Sequence, residues 1–332
     1  MANVVYEIQN KVNELSIKID ALRDEIKKQL TKKQVAFAPD DSLRKLIALI
    51  PYNKYVVNLL YMSLANFASA KLSSNTVLFS GGRTNSSNYT NVQKQYSLIT
   101  GTFVNKLNLP WNTAYHSCCN IDRNLHLVFI AGGINSTNKA IIFNNTANTI
   151  ATKRQLPYNT HTHSITQVNG NPLISGGTDR GDLFNQYMYT LSSDTYTAKC
   201  NLPQGSDCLA TESITSSTVS ISGGNQNDNN LNCIWNNSSN TIARKSNLAA
   251  PRWSHTVTKS SYNKALFVGG IGTENINQLY DAAIDTFASK RNLPRRINEH
   301  CTKLFNNKTF LISGGNTNKQ VCYKLDENIF YP

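Results

Sequence analysis

The chain has 332 residues, of which 33 are Lys or Arg and 20 are Asp or Glu, giving a formal net charge of +13. This length allows one large core with an appendage, and the basic balance favours anionic partners such as acidic proteins, anionic wall polymers or nucleic acid. No run of about eighteen apolar residues occurs, and the N-terminus lacks an apolar signal core, so we expect neither a membrane span nor a signal peptide.

The first segment, residues 1–34, has the pattern of a coiled-coil helix. Its apolar residues alternate at spacings of three and four, which places them at the a and d positions of a heptad repeat. The stripe is narrow, so we predict an oligomerisation seam; a single amphipathic helix lying on the rest of the protein is the alternative. β-branched residues at a, with Leu at two d positions, favour two strands, whereas Ile8 at d favours more. The seam residues are Val5, Ile8, Val12, Leu15, Ile19, Leu22 and Ile26.

Residues 35–54 are predicted to form a short helix and a linker. Asp40, Asp41 or Ser42 caps this helix, and Pro51 ends it. The stretch from Leu30 onward resembles a segment common in bacteriophage tail-fibre and other tail-associated proteins, except that Gln34 stands where glycine is usual. The resemblance implies attachment to a particle, and it favours a homotrimer over a dimer. The matching residues are Leu30, Lys33, Val35, Asp40, Asp41, Ser42, Leu43, Leu46, Ile47 and Ile50.

Six Gly-Gly pairs divide the remainder, residues 55–332, into repeats of similar length. Each pair follows a short apolar run rich in β-branched and aromatic residues, which is typical of a buried strand. Successive pairs start 44 to 51 residues apart, and a period in this range indicates a repeat architecture. The pairs are Gly81-Gly82, Gly132-Gly133, Gly176-Gly177, Gly223-Gly224, Gly269-Gly270 and Gly314-Gly315.

A second marker recurs in phase with the first. It is a Leu-Pro step, or Leu-Ala once, that follows a turn phrase containing Thr. We predict four strands per repeat: an inner strand after a His, a second before Gly-Gly, a third with an aromatic residue and a fourth after the Thr phrase. The Leu positions are Leu109, Leu156, Leu202, Leu248 and Leu293, and the third-strand aromatics are Phe143, Tyr187, Trp235, Tyr280 and Tyr323.

These elements together resemble the kelch repeat. The resemblance implies a mainly β protein, a six-bladed propeller of four-stranded antiparallel blades, here preceded by the α-helical coiled coil. The fourth-strand Trp of that repeat is replaced by Phe, Ile or Tyr. An open β-sandwich or two small β domains is the alternative, although neither explains the constant period. The last repeat is expected to provide its own fourth strand from residues 328–331.

The sequence contains no recognisable catalytic or metal-binding constellation. The repeats carry thirteen carboxylates, which are scattered along the loops. A Gly-x-Ser-x-Gly elbow and a phosphate-binding loop are absent, and His161 and His163 form the only close His pair. We interpret that pair as ordinary residues of a blade junction, and we predict no catalytic residue, metal or cofactor. The seven cysteines are predicted to be free thiols of a protein made in a reducing cytoplasm.

Strand alternation puts the loops after Gly-Gly and after Leu-Pro on the same face of a propeller. That face collects aromatic, Arg and His residues, a mixture that suits a sugar or a protein epitope. For each of them, packing between blades is the alternative. The candidate ligand face comprises Arg83, Trp111, Tyr115, Tyr158, His161, Arg180, Arg252, Trp253, Arg295 and Arg296.

Taken with the two resemblances, these features lead us to expect a non-enzymatic virion protein, a tail fibre or appendage of a tailed phage or phage-like particle, made in the bacterial host cytoplasm. Expected partners are further copies of itself, other tail or baseplate proteins through the N-terminus, and a host-surface glycan or protein through the propeller. A membrane partner is not expected, and nucleic acid is the least favoured because no dense Lys/Arg run occurs. The alternatives are a sugar-modifying, epimerase-like propeller enzyme and an intracellular adaptor.

The seam predicts that the N-terminal helix drives self-association. Light scattering should report an oligomer for residues 1–332 and a monomer for residues 52–332, because an apolar heptad stripe is stable only when it is buried in a partner helix. A monomer at both lengths would exclude the coiled coil.

Overall fold

The computed structural model describes residues 64–331 except 85–87, 123, 125, 180, 182, 226–228, 306–308 and 316–319, together with five residues of the N-terminal segment. The chain divides into two units, Met1–Lys54 and Tyr55–Pro332. In the first unit, the described residues 24, 25, 27, 28 and 31 are helical, and the Thr31 hydroxyl donates to the Lys27 carbonyl oxygen at 3.0 Å. The predicted seam residues, and the helix and linker of residues 35–54, lie outside the described residues. Within the described part, no helix is long and apolar enough to cross a membrane.

In the described part of the chain, twenty-four strands form six four-stranded antiparallel sheets, each built from four consecutive strands. The sheets are blades 1–6 in chain order. Blades 1–3 consist of β1 Ala68–Lys71, β2 Thr76–Ser80, β3 Gln93–Ser97, β4 Thr102–Lys106, β5 Ser117–Asp122, β6 Leu127–Ala131, β7 Ala140–Asn144, β8 Thr149–Lys153, β9 Ser164–Val168, β10 Asn171–Ser175, β11 Gln186–Thr190 and β12 Thr195–Ala198. Blades 4–6 consist of β13 Ala210–Ser213, β14 Thr218–Ser222, β15 Asn232–Asn236, β16 Thr241–Arg244, β17 Thr256–Ser261, β18 Lys264–Val268, β19 Asn277–Asp281, β20 Thr286–Lys290, β21 His300–Leu304, β22 Thr309–Gly314, β23 Gln320–Lys324 and β24 Ile329–Tyr331.

The first strands of neighbouring blades contact one another, and β21 contacts β1. The six sheets therefore close into a ring around a central channel, which is a six-bladed β-propeller. This confirms the predicted mainly β fold and its four-stranded antiparallel blades. Blade 6 takes its fourth strand, β24, from the end of the sequence, as expected.

Burial falls from the second strand of each blade to the fourth. In β6 every residue except Leu127 is buried, whereas in β8 exposed and half-buried residues are mixed. A second strand is covered by neighbouring blades on both faces, and this explains the apolar runs before the glycine pairs. All seven cysteines are free thiols, as predicted, and they are buried or half-buried.

Each third strand carries one fully buried aromatic ring that pairs with a fourth-strand side chain. In blade 3 this residue is Tyr189; the predicted Tyr187 also lies in the third strand, β11, but is only half-buried. Both side chains lie on one face of β11, but only Tyr189 is opposite Tyr196, with ring centroids 5.0 Å apart. Such cross-strand aromatic pairs stabilise a sheet. The six buried rings are Tyr96, Phe143, Tyr189, Trp235, Tyr280 and Tyr323.

An Asx residue in the turn before the fourth strand links five blades to the blade before them. Its side chain accepts a hydrogen bond from a backbone N–H of the preceding blade; we call this contact the blade latch. At Asp285 the carboxylate accepts from the Ser246 N–H at 3.0 Å and from the Tyr280 hydroxyl at 2.8 Å. Blade 1 has Gly101 at this position and so lacks a side-chain acceptor. The latch residues are Asn148, Asp194, Asn240, Asp285 and Asn328.

The blade latch predicts a stability difference between Asp285→Ala and Asp285→Asn. Ala removes both accepted hydrogen bonds and must occupy a φ of +54°, whereas Asn keeps an acceptor and tolerates that φ. We expect Ala to lower the free energy of unfolding by about 1–3 kcal/mol more than Asn does. Urea denaturation measures this, with the exposed Asp179→Ala as control. Equal stability of the Ala and Asn variants would contradict a structural role for the latch.

Candidate functional site

Six residues in the left-handed backbone region begin the first strands at one end of the channel. Glu299 stands directly before its first strand and the other five stand two residues before theirs, and all six φ angles lie between 51° and 59°. Backbone hydrogen bonds connect them from blade to blade; for example, the Tyr115 N–H donates to the Asn66 carbonyl at 2.8 Å and the Thr162 N–H donates to the Tyr115 carbonyl at 2.8 Å. They surround a small depression of about 130 Å³, here called the narrow mouth. The six are Asn66, Tyr115, Thr162, Cys208, Ser254 and Glu299.

Buried histidines follow four of these left-handed residues. The imidazoles of His116, His163 and His255 fill the space beside the first glycine of a pair: a Cβ at Gly81 would lie 2.7 Å from His116 Cε1, and one at Gly223 would lie 2.6 Å from His255 Cε1. Glycine is therefore required at these positions for steric reasons as well as for its positive φ. Burial lowers the pKa of His116 to about 4 and that of His163 and His300 to about 3, and it holds the pKa of His255 well below the usual value. These four side chains are neutral packing groups at physiological pH.

A polar and aromatic cluster lies on the solvent side of the narrow mouth; we call it the mouth cluster. The Arg83 guanidinium lies 5.4 Å from the Tyr115 ring centroid and pairs with Glu299, with Nη2 and Oε2 3.2 Å apart. The Asn66 amide donates to the same Glu299 oxygen at 3.1 Å. The His161 ring completes the cluster, 6.3 Å from that of Tyr115. The structure thus brings together three of the predicted face residues, Arg83, Tyr115 and His161.

Burial and charge act on the two titratable rings of the mouth cluster. Burial raises the pKa of Tyr115, while Arg83 opposes that rise and Glu299 adds to it. Burial lowers the pKa of His161, while Asp207 and Asp179 oppose that change. Both rings are half-buried, and both are uncharged at neutral pH. An uncharged aromatic edge beside a guanidinium can stack on a sugar ring or a side chain while the guanidinium donates hydrogen bonds.

Four further predicted face residues contact neighbours outside the mouth cluster. Trp111 is covered by Lys139, whose Nζ lies 4.9 Å from the Trp ring centroid, and Trp253 forms an isolated backbone bridge with Ile271. Tyr158 packs on Tyr187 with ring centroids 5.5 Å apart. The exposed Arg296 pairs with Glu274, with Nη2 and Oε1 2.9 Å apart. Arg295 is half-buried, and Arg180 lies outside the described residues.

Arg252 is fully buried, in contrast to the solvent-facing position that a face residue needs. Its Nη2 donates to Gln278 Oε1, and its carbonyl accepts from the Gly224 N–H at 3.1 Å. Burial lowers the pKa of its guanidinium to about 10. The sequence could not show this, because the equivalent position holds Thr113 in blade 2 and Ile297 in blade 6, so no shared residue type marks it as buried.

The sequence prediction missed Glu299 and Asn66, although both contact Arg83 or its partner. Glu299 precedes His300 as Tyr115 precedes His116, so aligning the repeats on the His position identifies it as a rim residue. Asn66 was hidden because Phe67 stands where the other repeats have His or Leu. The position of Asn66 beside Glu299 can be recognised only in the folded propeller, where blade 1 meets blade 6.

Among the described residues, no group of three or more His, Cys, Asp or Glu side chains is arranged to hold a metal ion. No protein-family model matches the chain, and no curated protein matches it either. The function is therefore inferred from the fold and from the chemistry at the two ends of the channel. At the end opposite the narrow mouth, the channel opens into a cavity of about 720 Å³, here called the channel cavity.

The four buried histidines predict a loss of stability in mild acid. Their folded-state pKa values lie below the unfolded value of about 6.5, so below that pH the unfolded chain binds protons that the folded chain does not bind. Each histidine lowers the unfolding free energy by about 1.4 kcal/mol per pH unit from about pH 6 down to its folded pKa.

His163→Leu tests this, since blade 4 has Leu209 at the same position. Urea denaturation from pH 7 to 4.5 should show a shallower pH dependence, by about one proton, for this variant than for the wild type. Leu209→Met, a substitution at the equivalent position of blade 4 that changes no titratable group, is the control and should leave the slope unchanged. An unchanged slope for His163→Leu would mean that His163 is protonated in the folded protein.

Proposed function

We propose that this protein is a structural component of a tailed phage or phage-like particle that binds a host-surface glycan or protein through the narrow-mouth face of its propeller. The observation that carries the binding proposal is the mouth cluster. A half-buried tyrosine contacts a histidine and an arginine; the arginine pairs with Glu299, which also accepts a hydrogen bond from Asn66. Preorganised aromatic and guanidinium groups are frequent anchors in recognition sites.

The shape of the surface favours an extended ligand over a small enclosed one. The narrow mouth holds only about 130 Å³, and backbone hydrogen bonds link its six residues in series from blade 1 to blade 6. Pockets for small-molecule substrates are usually several times larger. A polysaccharide chain or a protein loop lying across the six connections is a better fit, and the kelch-like pattern of the sequence is consistent with such a use.

Oligomerisation through the N-terminal seam is the second part of the proposal. One shallow site gives weak binding, and several propellers on one coiled coil would raise the apparent affinity without new contacts. The basic propeller, residues 55–332, holds 23 Lys or Arg and 13 Asp or Glu, so it carries +10 of the net charge of +13 and would add attraction to anionic wall polymers. Tail or baseplate proteins would bind the N-terminal part, and the location would be the virion.

An enzymatic role has less support from the mouth cluster. Its carboxylate, Glu299, pairs with Arg83 and accepts from Asn66, so it is already engaged by two protein groups. A sugar-modifying enzyme would need a carboxylate or imidazole free to exchange protons with substrate.

The proposal predicts that Tyr115→Asn and Arg83→Gln weaken binding to isolated bacterial envelopes. Asn stands at the Tyr115 position in blade 1, so this variant keeps the left-handed backbone while removing the ring. We expect a loss of about tenfold in apparent affinity for each. Tyr262→Ala is the matched control, because Tyr262 is 72% exposed at the other end of the channel.

The measurement is co-sedimentation of the full-length protein with envelopes from a panel of bacterial hosts. Retention of the wild type and of Tyr262→Ala, with loss in the two mouth variants, supports the proposal. Equal retention of all four proteins, or loss in Tyr262→Ala alone, would show that the binding surface lies elsewhere on the protein. Turnover of a free sugar by the wild type, abolished in Arg83→Gln, would replace the binding role with an enzymatic one.

A further inference from the structure

The channel cavity lies at the end of the first strands opposite the mouth cluster and is independent of the proposed function. Residues from the first strands of all six blades line it, and the turns after β9, β13 and β17 extend its walls. Its volume of about 720 Å³ falls in the range that encloses a small molecule. By size alone it is the better small-ligand site of the two ends.

The charge of the cavity lining is positive. Lys71, Lys259 and Lys303 come from the three neighbouring blades 1, 5 and 6, whereas Glu212 of blade 4 is the one carboxylate among the lining residues that the structure describes. All four side chains are half-buried. Charges grouped in a concave, partly desolvated wall interact more strongly with a ligand than charges on an open surface do.

Nearby thiols do not offset this positive charge. The Lys303 ammonium acts to lower the pKa of Cys118 and Cys301, but burial is the larger effect and raises these values to about 12 and about 11. The thiols are therefore protonated and neutral at physiological pH. These thiols therefore add no negative charge to the cavity wall.

The cavity wall also offers hydrogen-bonding groups that have no protein partner. Both amide atoms of Asn120 in blade 2 are buried and unpaired, and so is the hydroxyl of Ser260 in blade 5. Gln167 of blade 3 lines the wall between Asn120 and Glu212. Buried polar atoms are almost always hydrogen-bonded in folded proteins, so these atoms indicate that water or a ligand occupies the cavity.

We propose that the channel cavity binds a compact anion that carries hydroxyl groups and a phosphate or carboxylate, with the size of a phosphorylated or acidic monosaccharide. The three lysines bind the anionic group. The amide of Asn120 and the hydroxyl of Ser260 hydrogen-bond to the ligand hydroxyls. The ligand enters from the side of the β1–β2-type turns, because the cavity of about 720 Å³ lies at that end and the opposite mouth holds only about 130 Å³.

Isothermal titration calorimetry of the full-length protein with glucose 6-phosphate, glucuronate and glucose tests this proposal. The two anionic sugars should bind and neutral glucose should not, since the three share a ring and differ in charge. The anion that binds with the higher affinity identifies phosphate or carboxylate as the preferred group. Binding should weaken as salt is raised from 50 to 300 mM, a change of about twofold in Debye length.

Variants separate the cavity from general surface charge. Lys303→Gln should weaken binding of the preferred anion at least tenfold, and Lys290→Gln, which removes the same charge from the outermost strand β20, should leave it unchanged. Glu212→Gln should strengthen binding, a gain that misfolding cannot produce. The proposal is overturned if neither anion binds at millimolar concentration, if glucose binds as well as the anions, or if Lys303→Gln and Lys290→Gln act alike.

Discussion

The backbone at the centre of the ring is the constraint on which the rest of the structure depends. Six consecutive blades start their first strands with a residue in the left-handed region, a conformation that costs about 1–2 kcal/mol for a residue other than glycine. Hydrogen bonds between neighbouring blades offset that cost, as from Thr162 to Tyr115. They also fix where the next side chain enters the core. The buried histidines and the glycine pairs follow from this geometry, because a ring such as that of His116 fits only where Gly81 has no Cβ.

The same constraint connects stability to the mouth cluster. The residue that turns the chain into the channel is also the residue whose side chain faces solvent at the narrow mouth, as for Tyr115 and Glu299. Blade 1 has Gly101 in place of a latch residue, so the interface between blades 1 and 6 lacks that side-chain bond. Other contacts stabilise this interface: Glu299 binds Arg83 and Asn66, and the Lys71 ammonium donates to the Phe305 carbonyl at 2.9 Å. The candidate binding residues therefore also help to close the ring.

The sequence predicted those features of the fold that depend on short residue patterns within each repeat. A glycine pair after an apolar run and a Thr phrase before an exposed strand are properties of neighbouring residues, so the blade number, strand order and common face could be inferred from them. The position of Tyr189 could not, since Tyr187 has the same residue type on the same face of the strand. The pairing of Arg83 with Glu299 joins residues 216 positions apart and exists only because the ring closes. The lysines of the channel cavity come from three blades at positions where the other repeats have Asn, Gln or other residues, so periodicity did not reveal them.

The two ends of the channel are chemically different, and we propose that the narrow-mouth face binds the host surface. Hydrogen–deuterium exchange of the full-length protein, with and without envelope polysaccharide from a bound host, tests that assignment most directly. We predict slower exchange in the loops that carry Arg83, Tyr115 and His161, and unchanged exchange in the turns around Thr215 and Tyr262 at the other end. Protection confined to those turns, or to the exposed fourth strands, would contradict it.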